Sequence, residues 1–170
     1  HFILFDLDGT LLNTEEGITK SIRHAWQHIS GEVVDLKKLR IFIGPPLRSK
    51  FVEVFGLTQE QAEEMLRVYR ERYMVRSKFE TKLYPDVREV LTDLKKKGYI
   101  LAVASSKNLT ACMELLCHFD IDGFFDYIGV ATDDVKISMK ADVLKMTLER
   151  LGVEDVNRCI LVGDTQYDAW

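Results

Sequence analysis

The sequence predicts an α/β fold: a doubly wound parallel sheet with a helical subdomain inserted after its first strand. Three observations predict it. Four short segments, Phe2–Phe5, Tyr99–Ser105, Tyr127–Ala131 and Cys159–Gly163, are continuously apolar or nearly so, as strands buried on both faces of a parallel sheet are. Helical patterns fill the gaps between the last three, and strand alternating with helix is the signature of a doubly wound domain. Residues 15–83 break that rhythm with a run of helices and no convincing strand, about seventy residues, enough for a small subdomain.

Taken in order, Phe2–Phe5 with Leu7 forms the first buried strand. "TEEGITKSIRHAWQHIS" then places Ile18, Ile22, Ala25, Trp26 and Ile29 on one helical face. Asn13 or Thr14 can cap its start, with Glu16 placed to reach back to Asn13. Leu36–Phe42, a "GPP" break at Gly44–Pro46 and Arg48–Phe55 follow. A second long helix starts behind Thr58 and carries a stripe of Ala62, Met65, Leu66 and Tyr69. Three helices are expected between the later strands. One runs from Asp86 to a stop at Gly98, one over Asn108–Phe119, and one from Lys140 to a stop at Gly152. The expected division is 1–14 with 84–170 as a Rossmann-like core and 15–83 as the inserted unit. A helix begins at "TQYDAW" without completing, and the strand before it would be an uncovered apolar edge. A further helix and strand are therefore expected beyond Trp170, with weak order near that residue.

Composition narrows the function. The 170 residues are 46% apolar and 29% charged, which suits a globular chain with a real core. A formal net charge of −4 gives no footing for a basic nucleic-acid interface. No apolar run reaches the length of a membrane span, so neither nucleic acid nor membrane is an expected partner. Cys112, Cys117 and Cys159 are odd in number and lack CxxC spacing. They are expected to be buried free thiols in a reducing, cytoplasmic setting.

The polar residues that follow the strands carry the chemistry, because ligands of open α/β sheets bind beyond the carboxyl ends of strands. Asp6 and Asp8 in "FDLDGTLLNT" follow the first strand. Ser105, Ser106 and Lys107 follow the second. Asp164 and Asp168 in "GDTQYD" follow the last, and Lys140 opens the helix that leads into it. Each has a plain structural reading when taken alone: a turn, an N-cap, a solvated lysine, acidic residues at a helix start. Together, several carboxylates converging at one edge would repel unless a cation sat among them. Carboxylate oxygens select a hard ion, Mg²⁺ above all where phosphate is bound.

"DLDGTL", a strand ending at Ser105, Lys140 and "GDTQYD", in that order across nearly the whole chain, resemble the four motifs of the haloacid dehalogenase superfamily. The helical insertion resembles that family's C1-type cap. "FIGPPL" and "LYPDV" are similar to the phosphoglycolate-phosphatase-like branch. The resemblance implies Asp6 as the nucleophile that forms an aspartyl-phosphate, and Asp8 as general acid and then base. It implies a Mg²⁺ shell of the Asp6 carboxylate, the Asp8 backbone carbonyl and Asp164. Asp168 would orient metal-bound water or Lys140, Ser105 and Ser106 would bind the phosphate, and Lys140 would neutralise it. Lys136, four residues upstream, competes for that role, and Lys140 is preferred because a helix begins there. Thr10 is expected to pin the turn after Asp8. Arg48, near the "GPP" break, would meet a second anionic group of substrate. The expected activity is hydrolysis of a small phosphomonoester, phosphoglycolate-like, by a monomer or homodimer. The alternatives are a phosphosugar mutase of the same superfamily or a nucleotide or sugar-phosphate phosphatase. Dehalogenase chemistry is disfavoured because those relatives lack a second aspartate such as Asp8, and the intact set of site residues speaks against a non-enzymatic binding module.

Overall fold

A computed structural model describes residues 1–132, 137 and 139–168. The Lys136 alternative and the expectation for the chain around Trp170 lie outside the described residues. The chain divides into two compact units, residues 1–13 with 83–170, and residues 14–82.

The first unit is built on a four-stranded parallel sheet in the order β5-β4-β1-β6. Its strands are β1 (Phe2–Phe5), β4 (Ile100–Asn108), β5 (Tyr127–Ala131) and β6 (Cys159–Val162), paired in parallel registers such as Phe2↔Ile100 and Phe2↔Cys159. Side chains alternate across a strand, and both faces are apolar here. Ile3, Phe5, Leu101 and Val103 enter one core with Leu91 of α4 (Val87–Lys96) and Cys112, Leu115 and Leu116 of α5 (Leu109–His118). Leu4, Ala102 and Ala104 enter a second core with Val143 and Leu144 of α6 (Lys140–Arg150). One helical layer per sheet face is the expected double winding. The alanines let α6 lie close to the sheet, and Gly129 of β5 shows how close. A Cβ built there would meet the Thr147 Oγ1 at 1.9 Å. The outer strand β6 leaves Ile160 55% exposed, as expected of an apolar edge.

The strand boundaries follow the sequence reading at β1 and β5. β4 runs three residues further, to Asn108, through an irregularity in its pairing with β5 between Ser105 and Asn108. Asn108 caps α5 by accepting from the Ala111 N–H at 2.9 Å, which leaves the two serines out of the cap. Of the cysteines only Cys112 is buried, and burial pushes its thiol up to about 12. Cys117 is exposed and Cys159 half-buried. The expectation of three buried thiols fails at Cys117 because it lies five residues from Cys112, on another face of α5.

The second unit holds α1 (Glu15–Ser30), a 3-10 segment at Leu36–Phe42, α2 (Leu47–Phe55) and α3 (Gln59–Arg76). Ile18, Ile22 and Ala25 of α1 are buried with Ala62, Met65, Leu66 and Tyr69 of α3. Trp26 stacks on Phe55 at 4.2 Å between ring centres, and Phe55 stacks in turn on Phe42 at 5.2 Å. Thr58 and Gln61 form a reciprocal capping box at the start of α3. Arg72 grips both oxygens of Glu80 and donates to the Ser21 hydroxyl. The start of α1 corrects the sequence reading. Thr14 is its N-cap residue but makes no side-chain cap bond, and its buried hydroxyl has no hydrogen-bond partner among the described residues. Glu16 binds Lys20 one turn on at 2.5 Å, the ordinary i,i+4 pairing of a helix surface. Two-residue strands, β2 (Leu12–Asn13) and β3 (Lys82–Leu83), pair where the chain leaves the first unit and returns. β3 lies in the stretch expected to hold no strand.

The Gly129–Thr147 approach yields a stability test. Gly129→Ala places a methyl group into the Thr147 hydroxyl, so urea unfolding should show a loss of about 1–3 kcal/mol. Adding Thr147→Ala removes the colliding oxygen and should restore part of it. No loss on Gly129→Ala would show that α6 does not lie this close to β5.

Candidate active site

The site begins where β1 ends. The Asp6 N–H donates to the Val162 carbonyl at 2.9 Å, so Asp6 is still held in the sheet. The chain then folds back on itself. The amides of Leu11 and Leu12 both donate to the Leu7 carbonyl, and Gly9 N–H donates to the Leu12 carbonyl at 2.8 Å. Leu7, Leu11 and Leu12 are buried beneath this loop. Gly9 sits at φ +84°, where glycine is favoured. A Cβ built on it would also lie 2.1 Å from an oxygen of Asp164, so the loop after β1 closes directly onto the loop after β6.

Asp6 is 5% exposed, and its Oδ1 lies 2.7 Å from the Lys140 Nζ. The same ammonium lies 2.8 Å from Asp168 Oδ1. Lys140 opens α6, as expected, and is itself buried. A cation at a helix N-terminus is disfavoured by the helix dipole. Two carboxylates on the same ammonium offset that. Asp168 is fixed further by Thr165, whose N–H and hydroxyl donate to its Oδ2 at 3.1 and 2.8 Å. Gly163 makes room for this carboxylate, because a Cβ there would be 2.2 Å from the Asp168 Cγ. Asp164 is exposed and accepts a long bond, 3.4 Å, from the Thr10 hydroxyl. Thr10 therefore reaches across to the second acidic loop and does not pin its own turn. Asp6, Asp164 and Asp168 each offer an oxygen within 4.8 Å of the others.

Asp8 lies apart from this trio. Its Oδ2 is 3.1 Å from the Lys107 Nζ, and its Oδ1 is buried with no hydrogen-bond partner among the described residues. Ser105 is buried at the end of the regular part of β4, and its hydroxyl accepts from the Lys107 N–H at 3.2 Å. Ser106 is half-buried on the irregular stretch that follows. Arg48, in the helical unit, is ion-paired with Glu63.

The electrostatics follow the geometry. Burial pushes the Asp6 carboxyl up to about 6. Lys140 pulls the other way, and Asp8 adds to the rise. Partial desolvation raises Asp164, reinforced by the charges of Asp168 and Asp8. Desolvation also acts on Asp168, but hydrogen bonds from Lys140 and Thr165 outweigh it and hold that carboxyl below its ordinary value. Sequence reasoning had grouped Lys107 with the serines and assigned it no role, and it had passed over Thr165. The signal for Lys107 was its place in "SSKN", directly past a buried strand. Thr165 carried no signal beyond its place between two acids.

Known proteins support the same reading of the chain. A family model described as haloacid dehalogenase-like hydrolase matches residues 3–170. The chain is 34% identical to a 5'-nucleotidase of Pseudomonas aeruginosa, over 98% of this chain and 75% of that protein. It is 36% identical to the tyrosine-protein kinase PtkA of Mycobacterium tuberculosis, over 98% of this chain and 56% of that protein. It is 34% identical to a phosphoglycolate phosphatase of Aquifex aeolicus, over 98% of this chain and 76% of that protein. The crystal structure of a predicted phosphatase from Clostridium acetobutylicum superposes with a TM-score of 0.93 at 36% identity, over 99% of this chain and 77% of that one. The sequence motifs, the parallel sheet that gathers them at one edge, and these matches agree: the chain belongs to the haloacid dehalogenase-like hydrolase family.

Proposed function

We propose that this chain is a Mg²⁺-dependent phosphatase that hydrolyses a small phosphomonoester through Asp6. The buried Asp6 carboxylate on Lys140, with oxygens of Asp164 and Asp168 close by, carries the reading. In the first step an Asp6 oxygen attacks phosphorus as the ester P–O bond breaks, and Asp8 gives a proton to the departing alkoxide. In the second, Asp8 takes a proton from water as that water attacks phosphorus, which releases phosphate and restores Asp6. The Ser105 hydroxyl and the Lys140 ammonium hold phosphoryl oxygens. Positioning and charge stabilisation are the main demands of phosphoryl transfer.

The charge inventory supports a divalent cation. Among the described residues, four carboxylates, Asp6, Asp8, Asp164 and Asp168, face two ammonium groups, Lys107 and Lys140, an excess of two negative charges. The donors are all hard oxygens, which suit Mg²⁺. The Asp6 carboxylate, the Asp8 carbonyl and Asp164 would hold it, with Asp168 as a neighbouring carboxylate. When bound, Mg²⁺ would neutralise the gathered carboxylates and the phosphate.

The names of the relatives in hand include a nucleotidase and a phosphoglycolate phosphatase. We favour a small phosphorylated metabolite of the phosphoglycolate kind. Arg48 can serve a second anionic group of such a substrate only after leaving Glu63. A panel of 2-phosphoglycolate, nucleoside 5'-monophosphates, sugar phosphates and pyrophosphate ranks the substrates.

Two outcomes test the site. With Mg²⁺ and p-nitrophenyl phosphate, Asp6→Asn should lower phosphate release by about 10³-fold or more, and chelation of the metal should stop the wild type. Full-rate release by Asp6→Asn would overturn the mechanism. The second test uses stability without metal. The folded-state value of Asp6 is raised, so folding favours its protonated form. Its contribution is most favourable below its ordinary value of 3.8 and is lost as pH rises through about 6. In chelator, Asp6→Asn and wild type should melt alike near pH 4. Above about pH 7 the variant should be the more stable by roughly 2–3 kcal/mol. A gap that does not widen with pH would show that the Asp6 charge carries no burial penalty.

A further inference from the structure

We propose that Lys107 is a positioning residue for Asp8: it pins Oδ2 and so leaves Oδ1 as the oxygen that gives and takes the proton. The inference rests on the phosphatase reading above. Its footing is the path of β4. Regular pairing with β5 lasts to Ser105↔Val130 and resumes at Asn108↔Ala131, so residues 106 and 107 are looped out of the ladder. Irregularities of this kind re-aim side chains beside active sites. Here the Lys107 N–H bonds back to the Ser105 hydroxyl, and its Nζ reaches Asp8 Oδ2 at 3.1 Å. The pair is well covered, with side chains 9% and 13% exposed. The other oxygen, Oδ1, is buried with no hydrogen-bond partner among the described residues. A buried carboxylate oxygen left unpaired is costly, so Oδ1 is the oxygen of Asp8 that the described residues leave uncommitted. Lys140 is committed to Asp6 and Asp168. The two aspartates of the "DLD" stretch are thus met by different lysines, Asp6 by Lys140 and Asp8 by Lys107.

A leaving group that needs its proton separates this role from others. The value of kcat/KM covers the steps through the first phosphoryl transfer. An alkyl phosphate such as β-glycerophosphate releases a basic alkoxide and depends on Asp8. p-Nitrophenyl phosphate releases a stable phenolate and depends on it far less. In the full chain with Mg²⁺, Lys107→Met should lower kcat/KM for the alkyl ester about 10- to 100-fold more than for the aryl ester. Lys107→Arg should recover part of the alkyl activity, and Lys107→Met should cost nothing further in an Asp8→Asn background. Equal losses on both esters would mean a structural role. A raised KM with unchanged kcat that persists in Asp8→Asn would mean a substrate contact. Either result overturns the proposal. If Lys107→Met does not give a cooperative thermal melt, Lys107→Gln carries the same comparison, and failure of both to fold also assigns a structural role. Wild-type turnover and its loss in Asp6→Asn are read first. No wild-type turnover fells the phosphatase reading and this inference with it, whereas turnover with unselective Lys107 variants fells the inference alone.

Discussion

The Lys140 ammonium between Asp6 and Asp168 is the interaction on which the site depends. It joins three separate places in the chain: the end of β1, the start of α6 and the loop after β6. All three partners are largely buried. Taking charges out of water costs several kcal/mol each, and their attraction repays this only with good geometry. Asp168 also has Thr165 on its second oxygen. Burial dominates at Asp6 and keeps its carboxyl raised even with Lys140 beside it. The triad does little to stabilise the fold for its own sake. It holds the Asp6 carboxylate in a dry place with a cation beside it, as the proposed attack on phosphorus would require.

Two glycines allow the carboxylates to gather. Gly9 and Gly163 each lie where any Cβ would collide with an acidic side chain, Asp164 in one case and Asp168 in the other. The sheet explains why these loops meet. β1 is flanked by β4 and β6 in parallel register, so the chain ends after all three strands emerge at one edge. Apolar burial on both sheet faces fixes that register, since a one-residue slip would exchange the Ile3 and Phe5 face with the Leu4 face. The order of strands that buries the core is thus the order that assembles the acids.

Much of this was legible in the sequence, for physical reasons that differ by element. β1 and β5 are unbroken apolar runs with polar ends, so their limits could be read. Lys140 could be placed because a helix pattern begins there, and Thr58 because a capping box has a local spacing rule. β4 was read short because Ser106 and Lys107 look like a loop by composition. Only pairing with β5 shows that the ladder resumes at Asn108. At the start of α1, Thr14 takes the N-cap position without a side-chain cap bond, and Glu16 pairs with Lys20 one turn on; a capping rule places the residue but not the bonds of its side chain. Thr10 was misread because its partner, Asp164, lies 154 residues away. No window along the chain reports a contact at that separation. Cys117 failed because a residue-type tendency to be buried says nothing of which helix face a given cysteine takes.

The separation of the two aspartates' partners bears on how one short loop could supply the two roles proposed for it. Asp6 and Asp8 repel, as the rise that Asp8 adds to Asp6 shows. Lys140 on Asp6 and Lys107 on Asp8 divide the field, each cation lowering the cost of its own carboxylate. Asp6 directly follows β1, and its N–H is tied to the Val162 carbonyl of the neighbouring strand. Asp8 lies in the turn, where one oxygen is held by Lys107 and the other has no hydrogen-bond partner among the described residues. A nucleophile must be fixed, because a small displacement at the reacting atom costs rate steeply. A proton carrier must instead keep one oxygen uncommitted, since it has to donate in the first step and accept in the second. The tight turn at Gly9 divides one short sequence between those two demands.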